Sequence, residues 1–203
     1  MTLGIDENIV TWDNDLPFFR RTTSSINDGD SCNESRIHIG SHTGTHIDAP
    51  YHFNNCGKKV NELDLNILVG KCYIAEIYGK KIITADDLKR NVPKGTKRLL
   101  LKTDNTNIGY EHKFRTDFCG IDVSAVLYMR ENGIKLFGND YLSIAKYEFT
   151  GDVHRVFFEC NDNIALEGLV MNDVSSGWYE LFCLPLNIIG ADGAPARVIV
   201  KSI

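Results

Sequence analysis

Three of the chain's six histidines fall within eleven residues, in Ser41-His42-Thr43-Gly44-Thr45-His46-Ile47-Asp48-Ala49-Pro50-Tyr51-His52-Phe53, and no other segment restricts the fold as much. An even spread of histidine would put about 0.3 there. A helix carrying two histidines four apart on one face is disfavoured, because Gly44 sits between β-branched Thr43 and Thr45 and Pro50 comes soon after. The backbone is therefore expected to be extended or looped. On an extended backbone His46 and Asp48 project to the same side, and a bend at Gly44 brings His42 round to join them. Two imidazoles and a carboxylate form a mixed nitrogen and oxygen donor set that suits Zn2+, Mn2+ or Fe2+. His38, alternating with Ile37 and Ile39 in an expected strand, and His112, in a charged loop, are read as ordinary histidines.

The remainder of the chain frames this segment as one domain spanning residues 1–203. Its 203 residues, 43% of them hydrophobic, suffice for one sizeable core. A net charge of -5 argues against nucleic acid as a partner, since phosphate binding draws its affinity from Lys and Arg. No apolar run approaches the ~20 residues that cross a bilayer, and the first segment lacks a signal peptide's basic start and apolar stretch. No membrane association is expected, and the cytoplasm is the expected compartment. Six scattered cysteines without a CxxC pair fit reduced thiols.

Runs rich in β-formers predict strands over 72–78, 98–102, 134–137, 179–188 and 197–201. Helical start signals lie between them. Thr84 with Asp87 imitates a capping box before a helix reaching about Arg90. Asp122 caps a helix over 123–130 that Gly133 stops, and a third begins near Asp152, with His154 in its first turn and 161–163 ending it. Strands alternating with helices predict an α/β fold with a mixed sheet.

At these residues a family resemblance enters. His42-Thr43-Gly44-Thr45-His46-Ile47-Asp48-Ala49-Pro50-Tyr51-His52-Phe53 resembles the HxGTHxDxPxHF signature of the cyclase-like metal-dependent hydrolases, which include bacterial kynurenine formamidases and isatin hydrolases. Gly133-Ile134-Lys135-Leu136-Phe137-Gly138-Asn139-Asp140-Tyr141-Leu142-Ser143 is similar to the family's GxxLxGxDxxS segment, and the similarity continues through 164–169, 184–186 and 190–197. The resemblance implies a swivelling β/β/α single domain that forms homodimers. It further implies a first metal held by His42, His46 and Asp48, with Asp48 bridging to a second held by His154 and Glu167, and His52 as the acid/base residue.

The activity implied by the resemblance is metal-assisted hydrolysis of a small-molecule amide, with Zn2+ as the expected ion and Mn2+ as the substitute. An N-formyl aryl amide such as N-formylkynurenine is the first expected substrate and a cyclic imide or lactam the second, with a metal-binding protein without turnover as the rival class. Two departures from the pattern stand out. Trp12-Asp13-Asn14-Asp15 occupies the place of the kynurenine formamidases' Trp-Pro-Gly-Asp turn, at an N-terminus that starts abruptly for the family. The loop between His154 and Glu167 is longer than the family's, leaving Glu159 and Asp162 as alternatives to Glu167.

Overall fold

The structure, a computed structural model, describes residues 1–13, 15–108 and 113–203. His112 and the Asn14 position of the Trp12–Asp15 turn thus lie outside the described residues. The chain opens with an exposed hairpin of β1 (Phe19–Ser24) and β2 (Glu34–His38), then enters β3 (His46–Asp48). A short helix α1 (Leu65–Leu68) leads into β4 (Val69–Glu76), then β5 (Ile82–Ile83), α2 (Ala85–Asn91), β6 (Arg98–Lys102) and α3 (Asn105–Ile108). The remaining elements are β7 (Gly120–Ile121), α4 (Val123–Asn132), β8 (Leu136–Asn139), α5 (Thr150–Phe157), β9 (Ile164–Glu167), β10 (Gly177–Pro185) and β11 (Gly193–Ser202).

Seven strands close into a barrel in the order β10-β11-β3-β9-β8-β6-β4. The pairs β4–β6, β6–β8 and β8–β9 are parallel, whereas β9–β3, β3–β11, β11–β10 and β10–β4 are antiparallel. The sheet is therefore mixed, as the sequence implied. Its closure was not legible in the strand pattern.

The period of two sorts the side chains between two cores. Leu100, Ile164, Leu166 and Ile47 turn into a cluster that includes Ile74, Leu181 and Val198. Their neighbours Leu99, Leu101 and Ala165 face a second cluster with Leu88 of α2, Val126 and Met129 of α4, and Val153 and Phe157 of α5. Since Ile47 and Leu166 point into the first cluster, His46, Asp48 and Glu167 must point the other way.

Both expected caps of α4 are present. The Asp122 carboxylate accepts from Ala125 N–H at 3.0 Å, and Gly133 closes α4 in the left-handed region. Several boundaries differ from expectation for identifiable reasons. β8 begins at Leu136 instead of 134, because Ile134 N–H still bonds Met129 C=O at the helix exit. β10 stops at Pro185, beyond which Ile188 N–H turns back to Leu186 C=O. β11 starts at Gly193 because its first residues pair with β3. α5 starts at Thr150, directly from a 3-10 turn over Tyr147–Phe149, so His154 sits in the second turn and not the first. Strand β9 was missed because four buried residues show no alternation to read.

All six cysteines are free, and burial pushes the thiols of Cys72, Cys119 and Cys183 up to about 12. Among the described residues no helix is long and apolar enough to cross a membrane.

The buried carboxylate of Asp87 accepts from the Thr84 N–H at 3.0 Å and hydroxyl at 2.9 Å, and meets Arg90 at 3.0 Å and Lys80 at 3.2 Å. Burial raises its pKa, but the Thr84 bonds and the two cations outweigh burial and hold it at about 2 against an ordinary 3.8. A folded pKa below the unfolded one stabilises above about pH 4, and that stabilisation is lost as pH falls through about 2. Asp87→Ala should cost about 1–2 kcal/mol at pH 7 in urea unfolding, with the gap narrowing as pH drops below about 4. A gap independent of pH would show that the negative charge is not what caps α2.

Candidate metal centre and active site

Strand register assembles the site. β3 and β9 pair with His46 directly opposite Glu167, while Asp48 lies opposite Gly193 of β11. The crossing is tight: Gly168, at φ +71, approaches so closely that a Cβ there would lie 2.2 Å from Gly44 O. Thr45 seals the contact by donating its hydroxyl to Gly168 C=O at 2.5 Å and accepting Leu3 N–H at 2.9 Å. Gly44 itself has φ +67, the bend that returns His42 to the cluster.

Four of the expected site residues, His46, Asp48, His154 and Glu167, are no more than 3% exposed. His46 Nε2 lies 3.3 Å from Asp48 Oδ1 and 3.5 Å from Glu167 Oε2. His42 Nδ1 lies 2.6 Å from Asp48 Oδ1. From α5, His154 Nε2 reaches Glu167 Oε1 at 3.2 Å and Asp48 Oδ2 at 3.8 Å. His52, on the 3-10 turn Pro50–His52, stacks on the His42 ring at 4.0 Å and meets Phe53 edge to face at 4.6 Å. All six residues that the sequence and the resemblance singled out therefore converge.

The other nitrogen of each buried imidazole is already committed. His46 Nδ1–H donates to Gly44 C=O at 2.9 Å, and His154 Nδ1–H donates to Thr150 C=O at 2.7 Å. His42 Nε2 lies 2.8 Å from Asp192 Oδ2. Such outer partners fix ring orientation and tautomer, leaving one nitrogen of each ring facing Asp48. Two overlapping groups, His42-Asp48-His52 and His46-Asp48-Glu167, hold their donor atoms within 4.8 Å of one another and share Asp48. A donor set of imidazoles and carboxylates, oriented in this way, fits a divalent cation.

Electrostatics support the same fit. Burial disfavours a charged His42 ring, but the Asp48 charge and the bonds to Asp192 and Asp48 outweigh it and push His42 up to about 10. His46, equally penalised by burial, is raised to about 9 by its contacts with Asp48 and Glu167. His154 is raised by Glu167 against the same penalty, while Asp48 and Glu167 stay below the usual carboxylate range despite burial, held there by the rings around them. The carboxylates thus demand positive charge at their centre.

The two alternatives to Glu167 are engaged elsewhere. Glu159 pairs with Arg130 at 3.0 Å, and Asp162 with Lys58 at 2.6 Å and Lys135 at 3.1 Å. His38 lies on the exposed β2 beside Phe19, away from the cluster.

A cleft of about 250 Å³ opens over the cluster, with Trp12, Asp15, Phe53, Leu142, Ser143 and Thr150 completing its walls. Trp12 is braced by Phe114 at 4.7 Å and Tyr147 at 5.7 Å. Asp192 falls within the 190–197 segment that matches the family but was assigned no role from the sequence. Its one local signal was an acid embedded in Gly190-Ala191-Asp192-Gly193, and a separation of 150 positions from His42 hid the contact.

Comparison with known proteins agrees with this geometry. A family model described as "Putative cyclase" matches residues 1–146. A kynurenine formamidase of Geobacillus thermodenitrificans (strain NG80-2) is 38% identical over 199 residues, 97% of this chain and 93% of that protein. The structure of a "predicted metal-dependent hydrolase" from Bacillus stearothermophilus superposes with a TM-score of 0.83 at 32% identity, covering 98% of this chain and 95% of that one. An isatin hydrolase bound to the product analogue thioisatinate shares the fold, with a TM-score of 0.79 at 19% identity over 98% of this chain and 89% of that one.

The shared position of Asp48 generates a test. Asp48→Ala should weaken Zn2+ or Mn2+ binding by more than about 100-fold, beyond the 10–100-fold typical of removing a group that only orients a ligand, while His52→Ala leaves it nearly unchanged. Chelator competition on the two variants measures it. Equal weakening would make His52 a ligand.

Proposed function

The chain belongs to the cyclase family, and on that premise we propose that it is a metal-dependent amide hydrolase that splits N-formylkynurenine into kynurenine and formate. One observation carries this reading: buried His46, His154, Asp48 and Glu167, with half-buried His42, gather around Asp48, and His52 lies beside them in the wall of an open cleft. Similarity to a kynurenine formamidase over 97% of the chain supports the choice of substrate.

His42, His46 and Asp48 would hold one ion and His154 with Glu167 a second, Asp48 bridging the two; Zn2+ is the proposed metal and Mn2+ its substitute. When bound, a divalent cation polarises the scissile carbonyl and acidifies the attacking water. His52 moves the protons. With Nδ1 facing Asp192, the ring's Nε2 accepts a proton from the attacking water and returns it to the departing aryl amine, so that water and formamide give amine and formic acid. Trp12 and Phe53 offer ring faces for the aryl group. Burial of the metal-holding groups leaves the cleft as the route by which substrate reaches them. Residues 1–203 act as one domain in this reading, in a homodimer, and six free thiols suit the reducing cytoplasm.

His52→Ala should retain its metal and lose about 10²- to 10⁴-fold in kcat/KM on N-formylkynurenine, the span for a positioned acid/base group. An aryl ester, whose leaving group needs no proton, should lose least. The assay compares both substrates, and isatin as a cyclic lactam, at matched metal content. Equal losses on amide and ester would assign His52 to substrate positioning. Turnover of isatin without turnover of the formamide would make the protein a lactam hydrolase.

A further inference from the structure

One side chain outside the ligand set touches both His42 and His52. Asp192 lies in the turn between β10 and β11. That turn is tied to the segment carrying the histidines: Ala49 N–H donates to Asp192 C=O at 2.8 Å, Val60 N–H to Ala191 C=O at 3.0 Å, and Gly190 N–H to the Asn61 side chain at 2.9 Å. The carboxylate is thus carried on a backbone that is fixed relative to Pro50–His52. Gly193, next in sequence, leaves room for the imidazole, since a Cβ there would lie 2.6 Å from His42 Cε1.

A single oxygen, Asp192 Oδ2, stands 2.8 Å from His42 Nε2 and 3.3 Å from His52 Nδ1. The two rings lie face to face with their planes 29° apart. Stacking and the edge contact with Phe53 set the plane of the His52 ring, but neither chooses which nitrogen faces the cleft. Among the described residues, Asp192 is the carboxylate within ion-pair distance of His52.

We propose that Asp192 is a positioning residue that fixes the tautomer and orientation of His52, using the oxygen that also orients His42. The inference rests on the acid/base reading of His52. A carboxylate facing Nδ1 holds the N–H on that side and leaves Nε2 as the nitrogen that moves protons. On His42 the same oxygen holds Nε2–H and presents Nδ1 to Asp48. Any shift of Asp192 therefore disturbs both rings together.

The experiment is a double-mutant cycle of Asp192→Asn and His52→Ala, reading kcat, KM and metal affinity by chelator competition, with thermal melts to confirm folding. Asp192→Asn alone should lower kcat on an N-aryl formamide by about 10- to 100-fold, the usual effect of removing an orienting partner, and leave KM within about threefold. In the His52→Ala background, at matched metal occupancy, the same substitution should lower kcat by less than about threefold, because its target is gone. Its effect on metal affinity, exerted through His42, should be equal in both backgrounds. Asp192→Glu, which keeps the charge, should recover part of the lost kcat.

An equal loss of kcat in both backgrounds overturns the inference, as does a wild-type kcat for Asp192→Asn while His52→Ala is impaired. Full activity in His52→Ala alone would overturn the acid/base reading itself, and this inference with it.

Discussion

The site depends on the pairing of β3 with β9 in the register that sets His46 opposite Glu167. A slip of β3 by one residue would send His46 and Asp48 into the barrel and bring Ile47 out, because strand side chains alternate. The register is held by the close passage of Gly168 against Gly44 and by the Thr45 hydroxyl across it. It is also held by the apolar side chains between the polar ones. Ile47 and Leu166, both fully buried, fit the barrel only in this register. Packing of the hydrophobic core therefore sets the geometry of the polar site on its other face.

Collecting so many ionisable groups away from water would be costly unless each charge had a partner. Every one of them does. The rings are tethered to backbone carbonyls or to Asp192, and Glu167 accepts Ile144 N–H at 2.7 Å in addition to its histidines. With the carboxylates held ionised and the rings held in orientation, the cluster's geometry is set by the protein's own contacts. The cluster sits on a closed barrel, whose strands have no free edge at which the arrangement could relax.

Much of this was legible in the sequence where the cause was local. Gly44 and Pro50 ruled out a helix, and extended backbone then put His46 and Asp48 on one side, as β3 does. Caps at Thr84, Asp122 and Gly133 arise from hydrogen bonds within a few residues. The features that could not be read depended on distant parts of the chain. β9 is four residues of buried strand whose identity comes from the β3 and β8 flanking it, and barrel closure requires β10 to reach back to β4. Glu167 could be separated from Glu159 and Asp162 only by resemblance, because the lysines and arginine that occupy those acids arrive from other elements. Asp192 had no spacing to betray it, as its partner His42 lies 150 residues earlier.

The barrel has two halves of different construction, and the site lies at a boundary between them. β4, β6, β8 and β9 run parallel and carry α2, α4 and α5 on their outer face, whereas β3, β11 and β10 are antiparallel. Parallel strands need crossover helices, and the last of these brings His154 over Glu167 at the end of β9. Antiparallel strands need only turns, and the turns beside β3 bring His42, His52 and Asp192. A rigid helix thus faces short loops across β3 and β9, leaving a cleft where the cover of helices ends. Asp48, at the seam, is in reach of histidines from both sides. The β3 side supplies His42, His46 and Asp48, and only the parallel side supplies His154 and Glu167, so the full cluster forms when the barrel has closed along β3 and β9, and the chemistry is tied to completion of the fold.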